Sequence, residues 1–212
     1  MSHFSAILAG VPWTIALTLL AFAIGAALGL PLCALRLSSN RVVRSVASLF
    51  VVSCRSIPPI VWLFVVFFGI GNDLLSMSPF TAAAIGLGVV TAANMSEVYR
   101  GALTAIHPGQ HEAAKALNLS RLQQFRDVVF PQLMRIALPT AATYLIGLLK
   151  DSAVASTIGV NELAFSAYHV SQDTFRGLSV YAIAAVLYIL LSLPVAWLSR
   201  WADLSLRARV SR

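Results

Sequence analysis

Charged side chains are scarce in this sequence of 212 residues. Fifteen basic and eight acidic residues make up 11% of the chain, whereas 58% of it is hydrophobic. Ordinary globular domains are about 25% charged and about 45–50% apolar. So few charges cannot cover the surface of a water-soluble fold, and the length suits a single domain. The composition therefore excludes a soluble protein and predicts an integral membrane protein.

Motifs typical of enzymes and metalloproteins are also missing. The only cysteines, Cys33 and Cys54, lie in apolar stretches without CxxC or CxxH spacing, so they indicate no redox or metal function. His107 and His111 have i, i+4 spacing, but without a nearby third ligand they favour a solvated loop face over a metal site. No Ser/His/Asp motif or G-x-x-x-x-G-K-[ST] loop is present, so we expect no catalytic residue, metal or cofactor in this chain. The N-terminus has no basic n-region, which argues against a secretory signal peptide.

What the sequence does contain is a series of long apolar runs. A membrane-spanning helix needs about 20 residues, and four runs meet this requirement: 11–35, 46–71, 80–98 and 177–199. A further segment, 136–160, has an apolar part of only 14 residues before Lys150. We count it as the fourth span, and it either breaks at Lys150 or carries Lys150 and Asp151 near membrane depth. The predicted fold is all-α, with residues 1–212 forming one transmembrane domain of five helices.

Basic residues predict the orientation of these spans, because an excess of Lys and Arg marks cytoplasmic segments. They follow the first span, the third span and the last span: Arg36, Arg41 and Arg44; Arg100, Lys115, Arg121, Arg126 and Arg135; and Arg200, Arg207, Arg209 and Arg212. The segments before the first span and between the second and third have none. We therefore expect the N-terminus outside and the C-terminus in the cytoplasm. The net charge of +7 then indicates orientation and not binding to nucleic acid.

The longest polar segment lies on the predicted cytoplasmic side, and its pattern predicts two short helices. Pro108 suits the first turn of a helix, and residues 112–116 are mostly strong helix formers. Asn118 suits the left-handed position that ends a helix. Ser120 and Gln123 form a capping box for a second helix.

The second of these helices has an apolar side, because Leu122, Phe125 and Val129 follow at i, i+3 and i+7. Pro131 and Pro139 are expected to interrupt the chain before the fourth span. A small rigid helix–turn–helix between two spans suits docking into the groove of a partner protein. A plain solvated connector is the alternative, and DNA binding is disfavoured by the few basic residues.

At these residues the sequence resembles the permease subunits of ABC transporters, whose loop motif is EAA-x3-[G]-x9-[I]-x-[LP]. Glu112, Ala113 and Ala114 match its start, Asn118 stands at the glycine position, and residues 128–131 match its end. Four further segments resemble the polar amino-acid uptake subfamily of the histidine/glutamine/arginine type: 55–59 (RSIPP), 97–101 (EVYRG), 108–110 (PGQ) and 149–163 (LKDSAVASTIGVNEL).

The resemblance implies a multi-pass protein of the bacterial cytoplasmic membrane that works as a two-fold pair, with itself or with a paralogue. It implies a cytoplasmic ABC ATPase dimer, which binds ATP and Mg, and an extracytoplasmic binding protein that delivers the substrate. The motif loop, about 106–131, would be the coupling helix that docks into the ATPase. The residues implied in this coupling are Gly109, Glu112, Ala113, Ala114, Leu117, Asn118 and Pro131.

Polar residues at or near membrane depth are the candidates for the substrate pathway, since ionisable groups in spans usually face a cavity or the bundle interior. They are Arg55, Asn94, Glu97, Thr143, Lys150, Asp151 and Ser152. Lys150 and Asp151 would suit the carboxylate and ammonium of a zwitterionic amino acid, or they form an interfacial pair at a helix end. Arg55 and Glu97 are alternatively a structural ion pair between the second and third spans. Asn94, Thr143 and Ser152 depart from the residues common in the family, which leaves the substrate open.

The sequence thus predicts the membrane subunit of an ATP-driven importer of polar amino acids or their derivatives, surrounded by membrane lipid. An ion-coupled secondary amino-acid transporter is the alternative, but five spans without an internal repeat argue against it. A membrane scaffold or membrane enzyme is a further alternative, and no catalytic motif supports it.

Overall fold

The computed structural model describes residues 3–208, so Arg209 and Arg212 of the basic tail lie outside the described residues. Every regular element in this range is a helix. The α-helices are α1 (His3–Leu8), α2 (Val11–Arg36), α3 (Arg41–Ser56), α4 (Pro59–Phe64), α5 (Pro79–Thr104), α6 (Pro108–Ala116), α7 (Arg121–Gln123), α8 (Phe130–Asp151), α9 (Leu163–Thr174) and α10 (Gly177–Ala208). Two π-helical segments, Val65–Leu75 and Gln124–Val129, continue α4 and α7, and a 3₁₀ helix, Ser152–Ile158, continues α8.

Within the described residues, four helical segments are long and apolar enough to cross a membrane, and one bent pair brings the number to five if it is one span. The predicted spans 11–35, 80–98 and 177–199 fall within α2, α5 and α10. Both α5 and α10 extend beyond the predicted ends, because the residues after each apolar run include Arg, Ala and Leu, which are good helix formers.

The second predicted span, 46–71, is wrong as a single helix. The chain bends by 104° between Arg41–Ser56 and Pro59–Gly71. The two prolines at the break, Pro58 and Pro59, have no N–H to donate and force the preceding residue out of the helical region. Ile57 is accordingly extended, with φ −88° and ψ 130°. The Arg-containing segment before the bend and the apolar segment after it are therefore two elements with different directions.

The fourth span is a helix that changes type near the charged pair. The α-helix α8 ends at Asp151 and continues as the 3₁₀ helix Ser152–Ile158. Its start is earlier than the predicted boundary of the span at 136. The expectation that Pro139 interrupts the chain is wrong, because α8 runs through it. Pro131 lies in the first turn of α8, where a missing N–H costs nothing.

Helices α2 and α5 run parallel and form the centre of the bundle. Residues later in α2 contact residues later in α5. Trp13 contacts Phe80 with ring centroids 5.5 Å apart, Gly25 lies against Thr91, and Gly29 lies against Met95. A Cβ placed on Gly25 would lie 2.2 Å from the Thr91 side chain. Only glycine allows this close approach of the two backbones, so the small residue fixes how tightly the two helices pack.

A buried polar cluster joins α2 to the last two helices, α9 and α10. Glu162 is fully buried at the N-terminus of α9, and its Oε1 accepts a 2.7 Å hydrogen bond from the N–H of Phe165. The hydroxyl of Tyr188 on α10 donates to Oε2 of Glu162 at 2.8 Å. The N–H of Leu163 donates to Oγ1 of Thr14 on α2 at 3.0 Å. Burial raises the pKa of the Glu162 carboxyl above its usual range.

Candidate functional site

A cavity of about 680 Å³ lies between α3, α5 and α8. Four of the seven residues predicted for the substrate pathway line it: Arg55, Asn94, Glu97 and Thr143. They come from three helices that are separate in the sequence, and the bend at Pro58 and Pro59 leaves Arg55 at the end of α3. A cavity with a few convergent polar groups in a largely apolar bundle is the usual form of a small-molecule site.

Hydrogen bonds connect the polar residues of this cavity across the three helices. Arg55 Nε donates to Asn94 Oδ1 at 3.1 Å, and Asn94 Nδ2 donates to the hydroxyl oxygen of Tyr144 at 3.4 Å. The Tyr144 hydroxyl in turn donates to Oγ1 of Thr91 at 3.3 Å. Sequence reasoning did not find Tyr144 or Thr91, although Tyr144 adjoins the predicted Thr143. Arg55 and Tyr144 hold the side-chain amide of Asn94 from both sides, so this amide is fixed in position. Arg55 is exposed and keeps other N–H groups free for a ligand.

The hypothesis of an ion pair between Arg55 and Glu97 is wrong. Glu97 Oε2 lies 2.6 Å from Nη1 of Arg36 at the end of α2, and Oε1 pairs with Arg100 one turn along α5. The sequence pattern did not indicate Arg36 as a partner of Glu97. In the sequence, Arg36 was only one of the basic residues that predict the orientation of the first span. With two guanidinium partners, Glu97 is neutralised at the edge of the cavity, and its carboxylate holds α2 against α5.

The other three predicted pathway residues do not line the cavity. Lys150 and Asp151 are exposed at the end of α8, and Ser152 is fully buried with its hydroxyl donating to the carbonyl oxygen of Leu149 at 2.8 Å. Among residues 3–208, Lys150 and Asp151 form no salt bridge with each other or with another group. Lys150 follows the lining residue Thr143 by seven positions, so it lies on the same face of the helix, about 10 Å further along the axis.

The loop between α5 and α8 contains the two predicted short helices. Asn118 ends the first with φ 54°, in the left-handed region, and Ser120 and Gln123 form the capping box of the second. The first helix also has an N-cap that sequence reasoning missed: Nδ1 of His107 accepts a 3.1 Å hydrogen bond from the N–H of Gly109. His107 therefore has a structural role, and no cluster of His, Cys, Asp and Glu suited to a metal occurs in the described part of the chain.

The outer surface of this loop exposes large apolar side chains among polar and charged ones. Leu117 is 74% exposed and Leu122 73%, and Glu112 and Ala113 are exposed beside them, whereas Ala114 is buried. The predicted apolar side of the second helix is thus only partly used within the chain, since Val129 is its buried member. Exposed large apolar side chains at the tip of a protrusion indicate a surface that a partner covers.

The loop is rigidly attached to the helices that line the cavity. Ala102 of α5, Ile106 and Val129 of the loop, and Leu133 and Ala137 of α8 form one buried apolar cluster. A side-chain hydrogen bond of 3.0 Å from Gln132 to Gln110 also joins α8 to α6. The loop and the ends of α5 and α8 therefore form one closely packed unit, and such interiors deform little.

Comparisons with known proteins agree with these features. The family model described as "Binding-protein-dependent transport system inner membrane component" matches residues 20–208. The nopaline transport system permease protein of Agrobacterium fabrum is 32% identical over 99% of this chain and 93% of its own length. The glutamine transport system permease protein of Escherichia coli is 31% identical over 90% and 88%. The crystal structure of an amino acid ABC transporter with histidines superposes with a TM-score of 0.87 at 30% identity, covering 94% of this chain and 93% of that one.

Proposed function

Because the chain belongs to the family of inner membrane components of binding-protein-dependent transport systems, we propose that it is the permease subunit of an ATP-driven importer of polar amino acids or amino-acid derivatives. The single observation that carries this proposal is the attachment of an exposed helical protrusion to α5 and α8, two of the three helices that line the cavity. The cavity offers a path for a small polar solute, and the protrusion offers a point at which another subunit can act on that path.

The charges near the cavity suit a zwitterionic solute. The free guanidinium N–H groups of Arg55 would bind a carboxylate, with Asn94 held beside them as a neutral partner. Glu97 already has two arginine partners, so Asp151 is the better candidate for the ammonium group. Lys150, at the far end of the same face of α8, and its neighbour Asp151 would meet the solute at a different depth. Thr143 and Ser152 complete this proposed pathway.

We further propose five spans with the N-terminus outside and the C-terminus in the cytoplasm. Two parallel spans need a return crossing between them, and we assign this crossing to the segment Pro59–Leu75. Helices α5 and α8 are antiparallel, since Asn94 contacts Tyr144 while Ala102 contacts the earlier part of α8. This order puts the loop with α6 and α7 on the same side as the basic ends of the spans, as the positive-inside rule requires.

In this proposal α6 is the coupling helix, and it docks on a separate ABC ATPase dimer that binds ATP and Mg. The coupling residues are Gly109, Glu112, Ala113, Ala114, Leu117, Asn118 and Pro131. Two permease subunits, either identical or paralogous, enclose the pathway, and an extracytoplasmic binding protein delivers the amino acid. The relatives named above are a nopaline permease and a glutamine permease, which supports this class of substrate.

Uptake by the reconstituted complex tests the proposal. The permease is placed in proteoliposomes with its ATPase and binding protein, and a panel of labelled amino acids is offered with and without ATP inside. ATP-dependent and binding-protein-dependent uptake of one or a few polar amino acids is the expected result. Uptake that continues without ATP and follows an ion gradient would contradict the proposal and favour a secondary transporter.

A further inference from the structure

Helix α3 has a broad apolar side of which only part is covered. Ala47, Val51 and Cys54 are buried at i, i+4 and i+7, and Val51 and Cys54 belong to an apolar cluster with residues of α2, α4 and α5. A second row lies beside them on the helix and is exposed: Val42 71%, Val46 63%, Leu49 68% and Phe50 45%. The opposite side of the helix is mostly polar, with Val52 as its apolar member, and it contains basic residues but no acidic ones: Arg41, Arg44, Ser45, Ser48 and Arg55.

The direction of α3 follows from its neighbours. A connection of four residues, 37–40, separates it from the end of α2, and it makes an angle of 104° with the segment Pro59–Gly71. If that segment crosses the membrane, then α3 lies close to the membrane plane at the level where α2 ends. A helix with one apolar side and one basic side in this position is the form of an interfacial helix.

An apolar groove lies next to the exposed row of α3. Its volume is about 230 Å³, and Phe50 of α3 forms one wall. The other walls come from α2 and α5, and every lining side chain is apolar: Leu28, Pro31, Leu32, Leu35, Val89 and Ala92. The groove follows α2 from Leu35 to Leu28, which is about 10 Å along the helix axis. Its direction is thus that of the spans and of lipid acyl chains.

We propose that α3 and this groove form a binding site for an anionic phospholipid. Arg41 and Arg44 bind the phosphate of the headgroup, the exposed row of α3 lies among the acyl chains, and one chain occupies the groove. In the proposed orientation this lipid belongs to the cytoplasmic leaflet. The site goes beyond the proposed transport function, which does not require it, and α3 connects it directly to Arg55 in the cavity.

The charges favour lipid over a second copy of this chain as the occupant. A two-fold contact between α3 helices would bring arginines of both copies together, because α3 has no acidic residue to oppose them. Like charges at an interface are unfavourable, whereas an anionic headgroup neutralises them. The groove, with its wholly apolar walls, also matches a hydrocarbon chain better than a polar protein segment.

Retention of lipid by the purified permease tests the headgroup site. The protein is reconstituted in phosphatidylcholine nanodiscs with added phosphatidylglycerol, and the lipid that stays bound is identified by native mass spectrometry. We expect retained phosphatidylglycerol to fall about fivefold for each arginine removed in Arg41→Gln and Arg44→Gln. The matched control is Arg121→Gln with Arg126→Gln, since both arginines are exposed on the α6–α7 protrusion; these changes should leave retention unaltered. Equal retention in all variants would overturn the proposal.

A second measurement locates the exposed row. Cys33 and Cys54 are buried, so a bimane label attaches at an introduced cysteine, either Val46→Cys on the apolar row or Ser45→Cys on the polar side. Acyl-brominated lipid should quench the label at position 46 strongly and the label at position 45 weakly. Equal quenching at both positions would contradict the proposed direction of α3. Cross-linking of Val46→Cys between two copies, without quenching, would identify this face as a permease–permease interface instead. Neither measurement uses substrate or ATPase, so their failure is distinct from failure of the transport proposal.

Discussion

Arg36 and Glu97 form a salt bridge of 2.6 Å between the end of α2 and the last turns of α5. The Arg36 side chain is 10% exposed and the Glu97 side chain 27%. Removing the carboxylate in Glu97→Gln leaves Arg36 without a counter-charge in a partly buried position. We expect a loss of about 3 kcal/mol in the free energy of unfolding, the order found when one partner of a buried pair is removed. Thermal unfolding in detergent measures it.

The control for that prediction is Asp127→Asn. Its partner Arg126 is 70% exposed, and an exposed pair contributes about 1 kcal/mol or less. If both variants lower the midpoint of unfolding by the same amount, then Glu97 does not hold α2 against α5.

Arg55→Gln should reduce uptake without preventing folding. The variant keeps a polar side chain at the cavity but loses the charge proposed to bind the substrate carboxylate. Loss of a charge-assisted hydrogen bond costs about 1.5–3 kcal/mol, so transport efficiency should fall about tenfold or more. Proteoliposome uptake at several substrate concentrations measures the change, and Arg200→Gln, which removes an exposed arginine of α10, is the control. A normal uptake rate in Arg55→Gln would show that Arg55 does not bind the substrate.

Glu112→Lys and Ala113→Asp should uncouple transport from ATP hydrolysis. Both residues are exposed on α6, so the changes alter its surface but not its packing. We expect the permease to insert into the membrane normally, while uptake and the stimulation of ATPase activity by loaded binding protein are lost. Arg200→Glu reverses an exposed charge on α10, outside the loop 106–131, and should retain both activities. Unchanged uptake and stimulation in the two α6 variants would contradict the coupling role.

The turn after α6 should tolerate glycine but not a β-branched residue. Asn118 has φ 54°, a conformation that glycine adopts freely and that costs other residues about 1–2 kcal/mol. Asn118→Gly should therefore retain full uptake and stability. Asn118→Val should lower the free energy of unfolding by about 1–2 kcal/mol and reduce coupling because the turn no longer fixes α6. Wild-type behaviour of the valine variant in both assays would show that the turn is not constrained.

The buried carboxyl of Glu162 should make stability depend on pH. Burial raises its pKa in the folded state above the ordinary value of 4.5. The folded protein then binds more protons than the unfolded chain, so this group lowers stability as pH rises from about 4.5 through the folded-state pKa. Glu162→Gln keeps an acceptor for the N–H of Phe165 but does not titrate. The unfolding midpoint of the variant relative to wild type should rise with pH across this range; a constant difference would contradict the prediction.

Much of the helical pattern follows from local signals in the sequence. Asn118 and the capping box at Ser120 depend on residues that are neighbours in the chain, so their roles were visible there. The partner of Glu97 was not visible in the sequence, because Arg36 is 61 positions away and only the parallel packing of α2 and α5 brings the two residues together. The role of Tyr144 likewise depends on contacts between α5 and α8.

The bend after α3 illustrates a different limit of sequence reasoning. Arg55 and the proline pair interrupt the run 46–71, but its total length suits a membrane span, so the apolar residues on both sides of Pro58 were predicted as one helix. The distribution of the arginines on one side of Arg41–Ser56 indicates an interfacial helix, but only once the helix is known to end at Ser56. Where a proline pair interrupts a run, the direction of each half is set by packing and not by composition.

The way α2 is buried also constrains how the protein is made. The side of α2 that carries the glycines packs against α5, which begins only at Pro79. Thr14 of α2 accepts a hydrogen bond from Leu163, which lies 149 positions later in the chain. During synthesis α2 therefore enters the membrane before its native contact surface is covered. That surface is covered only when most of the chain has left the ribosome. A chain that stops before α9 would leave α2 unfinished and exposed to quality-control proteases, so only nearly complete permeases should survive in the membrane.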